Sequence, residues 1–204
     1  SGGAVSITLK GYSGLYPYFR LSVVNCNFLE TFTRGSGGSI WIFVHSESDI
    51  DSIKVKEQLS EAIYPNILVV NSTFVNSFAY KSGGALYLAG AFYTVIQNSR
   101  FIFTIEQINI SYSMDSLFIY SKHLITLYNI QVKCLSPFCT GRTAVQMSSQ
   151  VTQQSFLYFT QECISGHMAN IGFDYSQMTG LQFLQTSCKN CPPSLFYRGS
   201  SQFS

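Results

Sequence analysis

Residues 70–86 read VNSTFVNSFAYKSGGAL and contain two short motifs that return elsewhere in the chain. One motif is an asparagine followed three residues later by a phenylalanine, and the other is a glycine pair preceded by a serine. Asn71 and Gly83 are 12 residues apart, and the same 12 residues separate Asn25 from Gly37. The matched spacing of two motifs indicates an internal repeat.

Further copies of both motifs lie in the first half of the chain. The asparagine motif also occurs in residues 24–28 and 97–101, and the glycine motif in residues 1–5 and 36–40. Because glycine readily adopts the positive φ of a tight turn, we predict a turn at each glycine pair. The predicted turn glycines are Gly2, Gly3, Gly37, Gly38, Gly83 and Gly84.

Two interleaved series of strand-like segments run through the chain. They are rich in β-branched and aromatic residues, and they lack the periodicity of a helix. The first series begins near Ala4, Ser39, Ala85, Ser116, Thr143, Asn170 and Ser194. The second series begins near Leu21, Leu68, Val95, Leu127, Leu157 and Leu181. Each repeat therefore contains short strands that are separated by Gly, Ser and Asn turns.

A repeat that contains only a few short strands cannot bury its own apolar face, so successive repeats must stack as coils. Stacking predicts an all-β fold, a parallel β-helix (solenoid) of about six to seven coils that residues 1–204 form as one segment. Residues 45–64 interrupt both series and carry five of the ten acidic residues, so we predict a polar, partly helical insertion there. Neither end reads as a polar cap, and we expect the segment to belong to a longer chain.

Stacked coils place equivalent residues above one another, so polar residues at a turn can form a ladder. The position three residues before each repeated phenylalanine, or before a cysteine in the later repeats, is polar throughout. The predicted polar ladder consists of Asn25, Asn71, Asn98, Gln131, Thr160 and Gln185. The predicted inward column three residues later consists of Phe28, Phe74, Phe101, Cys134, Cys163 and Cys188.

The composition fits a stacked fold and excludes several other classes. Charged residues make up 11% of the chain and aromatic residues 15%, which is the opposite of a disordered composition. Neutral polar residues stack in register without the repulsion of like charges. The net charge of +2 predicts no binding of nucleic acid. The longest nearly apolar stretch, residues 85–96, is too short for a membrane-spanning helix.

The glycine motifs Gly2-Gly3-Ala4 and Gly83-Gly84-Ala85, with Phe-x-x-Asn-like elements, resemble known repeats. Similar repeats occur in chlamydial polymorphic outer membrane proteins and in large surface proteins of ciliates and other microbes. The resemblance covers roughly residues 1–120. It implies a right-handed parallel β-helix of the pectin-lyase-like superfamily that serves as an adhesin or as a surface scaffold.

Cysteines and glycosylation motifs indicate the compartment. The disulfide candidates are Cys26, Cys134, Cys139, Cys163, Cys188 and Cys191. Directly stacked strands bring Cα atoms within disulfide range, so a bridge between neighbouring coils is one prediction and a local Cys188–Cys191 loop is the alternative. Asn71 and Asn109 begin N-glycosylation sequons, Asn71-Ser72-Thr73 and Asn109-Ile110-Ser111. Together these features favour a disulfide-bonded glycoprotein that is extracellular or at the cell surface.

Few residues suggest catalysis. No obvious second pair completes a zinc site with Cys188 and Cys191, since the spacing of Cys134 and Cys139 is loose and His167 is isolated, and we predict no metal and no cofactor. Polysaccharide lyases and hydrolases need carboxylates that converge, and the carboxylates outside the insertion lie in different repeats. They are Glu30, Glu106, Asp115, Glu162 and Asp174. We therefore predict no catalytic residue.

The predicted function is a structural one. We expect a non-enzymatic scaffold segment of a surface or fibrous assembly, whose partners are flanking β-helix coils of the same or a neighbouring chain. Exposed Tyr, Trp, Asn and Gln on flat faces suit glycans, so an adhesin or glycan-binding β-helix is the first alternative. A polysaccharide lyase or hydrolase is the second alternative.

Overall fold

The computed structural model describes residues 3–10, 19–45, 65–90, 93–104, 117–121, 125–136, 143–150, 156–176, 181–191 and 200–203. Residues 46–64 of the predicted insertion lie outside this part of the chain.

The described residues form eighteen β-strands and no helix, which confirms the all-β class. The strands are β1 Val5–Lys10, β2 Leu21–Val24, β3 Asn27–Leu29, β4 Phe32–Thr33, β5 Ile40–His45, β6 Ile67–Val70, β7 Thr73–Val75, β8 Phe78–Ala79, β9 Leu86–Gly90, β10 Thr94–Gln97, β11 Arg100–Phe103, β12 Leu117–Ser121, β13 Ile125–Cys134, β14 Thr143–Gln150, β15 Phe156–Cys163, β16 His167–Ser176, β17 Leu181–Asn190 and β18 Ser200–Phe203.

One sheet contains the three strands that follow the glycine motifs, β1, β5 and β9, and continues through β12 and β14. β1, β5, β9, β12 and β14 pair in parallel, in chain order, as the first strand series predicts. The register aligns one apolar residue from each strand, and the aligned residues are Val5, Ile40, Leu86, Leu117 and Val145. The last four of these are almost completely buried, because alternate residues of a strand face the same side.

A second sheet is built from the strands on either side of the asparagine motifs. β2, β6, β10 and the first half of β13 pair in parallel, and so do β3, β7, β11 and the second half of β13. β15 then pairs in parallel with β13 along both halves. The short strands β4 and β8 form a separate parallel pair.

The two sheets enclose a common apolar core. Buried residues of the first sheet, such as Ile40 and Leu86, belong to one cluster with Ile67, Ile96 and Phe74 of the second sheet. Apolar burial at about 25 cal/mol per Å² is the main stabilising contribution in such a core. Within the described part of the chain, no helix is long and apolar enough to cross a membrane.

The C-terminal part departs from the predicted parallel series. The segments near Asn170 and Leu181 were expected to continue the two stacks, but β16 and β17 pair with each other in antiparallel orientation. β17 also pairs antiparallel with β14, and β18 pairs antiparallel with β15. The Ser-Gly-Gly motif that precedes β5 and β9 does not recur here. β16 and β17 are ten residues each and only four residues separate them, a connection that suits an antiparallel hairpin.

Candidate functional site

Four asparagines form a row where the chain turns within the second sheet. Asn25, Asn71 and Asn98 each lie between two short strands, and Asn129 lies inside β13. Their φ angles are 54°, 49°, 47° and 53°, respectively. Asparagine tolerates this left-handed conformation better than most residues, since its short polar side chain bonds locally. The sequence therefore specifies the same sharp bend in four successive repeats.

Backbone hydrogen bonds hold the row in register. The Asn25 N–H donates to the Val70 carbonyl at 3.0 Å, and the Asn71 N–H donates to the Gln97 carbonyl at 3.1 Å. The Asn98 N–H donates to the Tyr128 carbonyl at 3.0 Å. At the far end of the row, the Asn129 Nδ2 donates to the Asn98 Oδ1 at 2.8 Å, which is an amide ladder contact between two repeats.

The row differs from the predicted polar ladder in its later members. Asn129, not Gln131, follows Asn98, because the register pairs Gln131 with Arg100. Thr160 pairs with Gln131 and so lies in that same neighbouring line. Gln185 lies in β17 of the first sheet, where it pairs with Gln146 and Gly172, so its predicted place in the ladder is wrong.

The inward column in the structure also differs from the predicted column by two residues, beginning after Phe101. Phe28, Phe74 and Phe101 align as predicted, but Val132 is the next member, and Cys134 aligns with Phe103 instead. Cys163 aligns with Cys134.

A second line of hydroxyl groups lies beneath the asparagines. Ser72 and Ser99 are fully buried, and each follows an asparagine of the row. The Cys26 N–H donates to the Ser72 Oγ at 3.2 Å, and the Ser72 N–H donates to the Ser99 Oγ at 3.2 Å. The Ser99 hydroxyl donates to the Gln97 carbonyl at 2.8 Å. The buried serines thereby satisfy backbone groups that the bend takes out of the strand ladder.

A groove with a volume of about 350 Å³ opens along the asparagine row. Every described residue that lines it is polar, and Arg100 is the only charged one among them. The lining residues are Asn71, Asn98, Ser99, Arg100, Asn129, Gln131 and Thr160. Such a surface offers amide and hydroxyl donors and acceptors in a repeating order, and it suits a ligand with many hydroxyl groups.

Two residues beyond the groove residues Gln131 and Thr160, Lys133 and Glu162 form a salt bridge between β13 and β15. The Lys133 Nζ lies 2.9 Å from the Glu162 Oε2. Both side chains are partly exposed, and a pair of this kind contributes only about 0–1 kcal/mol to stability. Glu162 is therefore engaged, and the described residues contain no cluster of three or more His, Cys, Asp or Glu that could hold a metal ion.

The structure describes one of the two predicted glycosylation sites, Asn71. Asn71 is exposed, while Ser72 of its sequon is buried and Thr73 is half-buried. The left-handed turn interrupts the strand alternation here, and Val69 rather than Val70 is the buried residue before it. Asn109 lies outside the described residues.

The turn glycines have two different roles. Gly37 and Gly83 have φ of 72° and 66°, whereas Gly38 and Gly84 are not among the glycines with positive φ. A Cβ at Gly38 would collide with the carbonyl oxygens of Gly84 and Phe78. Gly3 is in the same situation beneath Gly38. The first glycine thus makes the turn, and the second lets the backbones of successive repeats approach; Gly2 lies outside the described residues.

The cysteines form a bridge between a parallel and an antiparallel strand. Cys163 of β15 and Cys188 of β17 are disulfide-bonded, with their Cα atoms 5.8 Å apart. This excludes the alternative local Cys188–Cys191 loop, since Cys191 is a free thiol, as is Cys26. Cys134 is also disulfide-bonded, and Cys139 lies outside the described residues.

Removal of the Cys163–Cys188 bridge by replacing both residues with alanine is expected to lower the free energy of unfolding by about 2–4 kcal/mol. The bridge spans 25 residues of sequence and restricts the unfolded chain accordingly. Urea unfolding followed by the fluorescence of Trp41, the single tryptophan, measures the loss. The matched control is Cys26→Ser, which removes a free thiol; an equal loss in both variants would contradict the prediction.

Aromatic side chains line the outer surface of the first sheet. The ring centroids of Trp41 and Tyr87 are 6.4 Å apart, and those of Trp41 and Phe43 are 5.7 Å apart. All three residues are half-buried. Burial raises the pKa of the Tyr87 hydroxyl, because a buried site disfavours the phenolate. Trp41 and Tyr87 are directly paired on β5 and β9, so their contact stabilises the sheet as a cross-strand aromatic pair, while Trp41 and Phe43 are neighbours on one face of β5.

Sequence reasoning missed Asn129 and the groove-lining role of Arg100. The signal for Asn129 was present, because Asn129-Ile130-Gln131-Val132 has the same spacing from asparagine to apolar residue as residues 98–101. No family model, no curated protein and no solved structure matches this chain.

Proposed function

We propose that this chain is a non-enzymatic, extracellular scaffold segment of a right-handed parallel β-helix of about six to seven coils, similar to the Gly-Gly-Ala repeat proteins of the pectin-lyase-like superfamily. The observation that carries the proposal is the constant register of the repeats. Asparagine, phenylalanine and glycine positions each align strand after strand over the first three repeats. A chain of this kind stabilises itself by stacking on a neighbour, not by closing a core within one repeat.

The partner that fits is a further coil of the same kind, in the same or a neighbouring chain. Among the described strands, none pairs with the outer edges of β1, β2 and β3. Exposed apolar side chains lie on two of these strands, where Val24 is 46% exposed and Leu29 is 64% exposed. An edge with unpaired backbone groups and apolar side chains is a template for another strand.

The other end of the stack differs. The last parallel strands, β14 and β15, are covered by the antiparallel strands β17 and β18. On that side the first sheet ends at β16, outside the parallel series of the repeats. The edges of β1, β2 and β3 are those that continue the repeats, so we assign association to them.

The extracellular location rests on the cysteines. Disulfides persist in oxidising compartments and are rare in the cytosol, and Cys163–Cys188 is a structural bridge in the apolar interior. A scaffold role needs no convergent catalytic groups, and Glu162, one of the described carboxylates, is paired with Lys133.

The experiment that tests the scaffold proposal is sedimentation velocity over a range of concentrations. The Leu21 and Asn25 N–H groups donate to the Asn66 and Val70 carbonyls, so the N–H of Ser22 points to the open edge by strand alternation. Ser22→Pro removes that donor without breaking a bond to β6. We expect the unaltered protein to self-associate and Ser22→Pro to weaken this association at least about tenfold, or about 1.4 kcal/mol.

The control for edge blocking is Met168→Ser, which removes an apolar side chain that is 37% exposed in the antiparallel part of the fold. It is expected to leave association unchanged. A protein that is monomeric, soluble and cooperatively folded at every concentration would overturn the proposed scaffold function.

A further inference from the structure

The polar groove and the sequon at Asn71 meet at one end of the asparagine row. Asn71 lines the groove and is exposed, and Thr73 completes its sequon. The groove then continues along Asn98 and Asn129, with Gln131 and Thr160 beside them. Three strand steps of about 4.8 Å separate the strands of Asn71 and Thr160, so the groove extends about 14 Å from the sequon.

The geometry points to an N-linked glycan on Asn71 whose first sugars lie in this groove. This inference rests on the extracellular location in the proposed function, and it is independent of the scaffold role. The glycan comes from a lipid-pyrophosphate-linked oligosaccharide donor. A bond forms between the Asn71 Nδ2 and C1 of the first sugar, the bond from C1 to the pyrophosphate oxygen breaks, and one amide proton leaves.

The side chains of the groove match the hydrogen-bonding needs of sugars. The Asn129–Asn98 bond leaves the Asn98 amide N–H groups and the Asn129 carbonyl oxygen available, Gln131 offers a further carboxamide, and Thr160 adds a hydroxyl. The described lining residues include no carboxylate, and Arg100 supplies further donors. Sugar hydroxyls and acetamido groups, which both donate and accept, are satisfied along the whole length of such a surface.

Asn71 is the member of the row that is available for attachment. Among the described residues, no hydrogen bond engages its carboxamide, whereas Asn98 and Asn129 bond to each other at 2.8 Å. The hydroxyl that the sequon requires is that of Thr73, which is half-buried, and the buried Ser72 is the middle residue of the sequon. Attachment at Asn71 therefore disturbs no contact of the folded row.

A tethered glycan suits this groove better than a free ligand. Sites for free ligands are mostly apolar with a few polar groups, whereas the residues that the structure describes along this groove are all polar. Direct hydrogen bonds at a wet surface add only about 0.5–1.5 kcal/mol each. Covalent attachment at one end raises the effective concentration into the millimolar range, and weak contacts then suffice.

The test uses the full chain secreted from a eukaryotic host, with Asn109→Gln removing the other sequon. The mass of the peptide that contains Asn71 shows whether the site is occupied, and Thr73→Ala serves as the unmodified reference. The rate at which a peptide-N-glycosidase removes the glycan from the native protein reports whether the sugars are held in the groove. Full occupancy and slow release are the expected results.

A matched site one repeat earlier gives the control. Asn25 has the same turn conformation as Asn71, with φ of 54° against 49°, but it does not line the groove. Asn27→Thr, combined with Thr73→Ala, moves the sequon to Asn25 by introducing the residue type found at the aligned position 73. We expect the glycan on Asn25 to be released about tenfold faster than the glycan on Asn71.

Variants of the groove separate sugar contacts from the accessibility of the turn. Asn129→Gly retains a residue that adopts positive φ while it removes the carboxamide, and Gln131→Ala removes a second amide. Both are expected to speed the release of the Asn71 glycan severalfold, and Thr104→Ala outside the groove is not. An unmodified Asn71, or equal release rates at Asn71 and Asn25, would overturn the inference. Either failure would leave the sedimentation test of the scaffold function unaffected.

Discussion

Gly38→Ala is expected to destabilise the protein by about 3 kcal/mol or more, and the variant will not fold if the total stability is modest. Gly38 is buried, and its backbone is held close to the next repeat because the Gly38 N–H donates to the Gly83 carbonyl at 3.0 Å. An added Cβ meets the carbonyl oxygens of Gly84 and Phe78. Both obstacles are backbone atoms in the parallel ladder, so they cannot move aside as a side chain would.

The comparison variant is Gly166→Ala, which isolates the conformational part of a glycine's role. Gly166 has φ of 83°, but a Cβ there would meet nothing within 4 Å. We expect a loss of about 1–2 kcal/mol, the cost of the left-handed conformation for a residue with a Cβ. Urea unfolding monitored by Trp41 fluorescence compares the two variants. A loss at Gly38 no greater than that at Gly166 would show that the close approach of the repeats is not required.

The glycine pairs illustrate how far the sequence can predict this fold. The recurrence of Ser-Gly-Gly predicted turns, and Gly37 and Gly83 have positive φ. The need for Gly38 is of another kind, because it arises only when one repeat lies on the next. No local pattern encodes that distance, and the steric role of the second glycine emerges from the three-dimensional stack.

The asparagine row shows why register is harder to predict than strand content. The predicted ladder passed through Gln131, and the structure places Asn129 there. A shift of two residues along a strand keeps the same side chains inward, so the apolar pattern is equally satisfied by both alignments. The choice is made by the left-handed turn, with φ of 53° at Asn129, which the alternation of apolar and polar residues does not report.

The antiparallel end was not predictable from the repeat alone. Strand-like segments continue through residues 156–190 at nearly the same spacing, so the spacing does not predict the change from parallel to antiparallel strands. What changes is the turn chemistry, since Ser-Gly-Gly does not recur in β15, β16 and β17. Asn170 and Phe173 have the spacing of the asparagine motif, but both lie inside β16 and Asn170 does not have the positive φ of the row. The bridge from Cys163 to Cys188 then fixes an arrangement in which the two strands belong to different sheets.

Phe74→Ala is expected to lower the free energy of unfolding by about 3–5 kcal/mol, the usual range for removing a buried phenylalanine ring. Phe74 is 1% exposed, and its ring is the middle one of a stack of three. The ring centroids of Phe28 and Phe101 each lie 4.8 Å from that of Phe74, with interplanar angles of 1° and 2°. Removal of the middle ring therefore leaves a cavity and ends both aromatic contacts, which add about 0.5–1.5 kcal/mol per pair.

Leu29→Ala, measured below the concentration of self-association, is the matched control for the ring stack, because Leu29 follows Phe28 in β3 but points outward and is 64% exposed. Its removal is expected to change stability by less than about 0.5 kcal/mol. Phe74→Leu should fall between the two, since leucine refills part of the space but cannot stack. Urea unfolding with the slope held in common measures all three variants. If Phe74→Ala and Leu29→Ala cost the same, the phenylalanine column does not hold the repeats together, and the core between the two sheets must supply that stability without it.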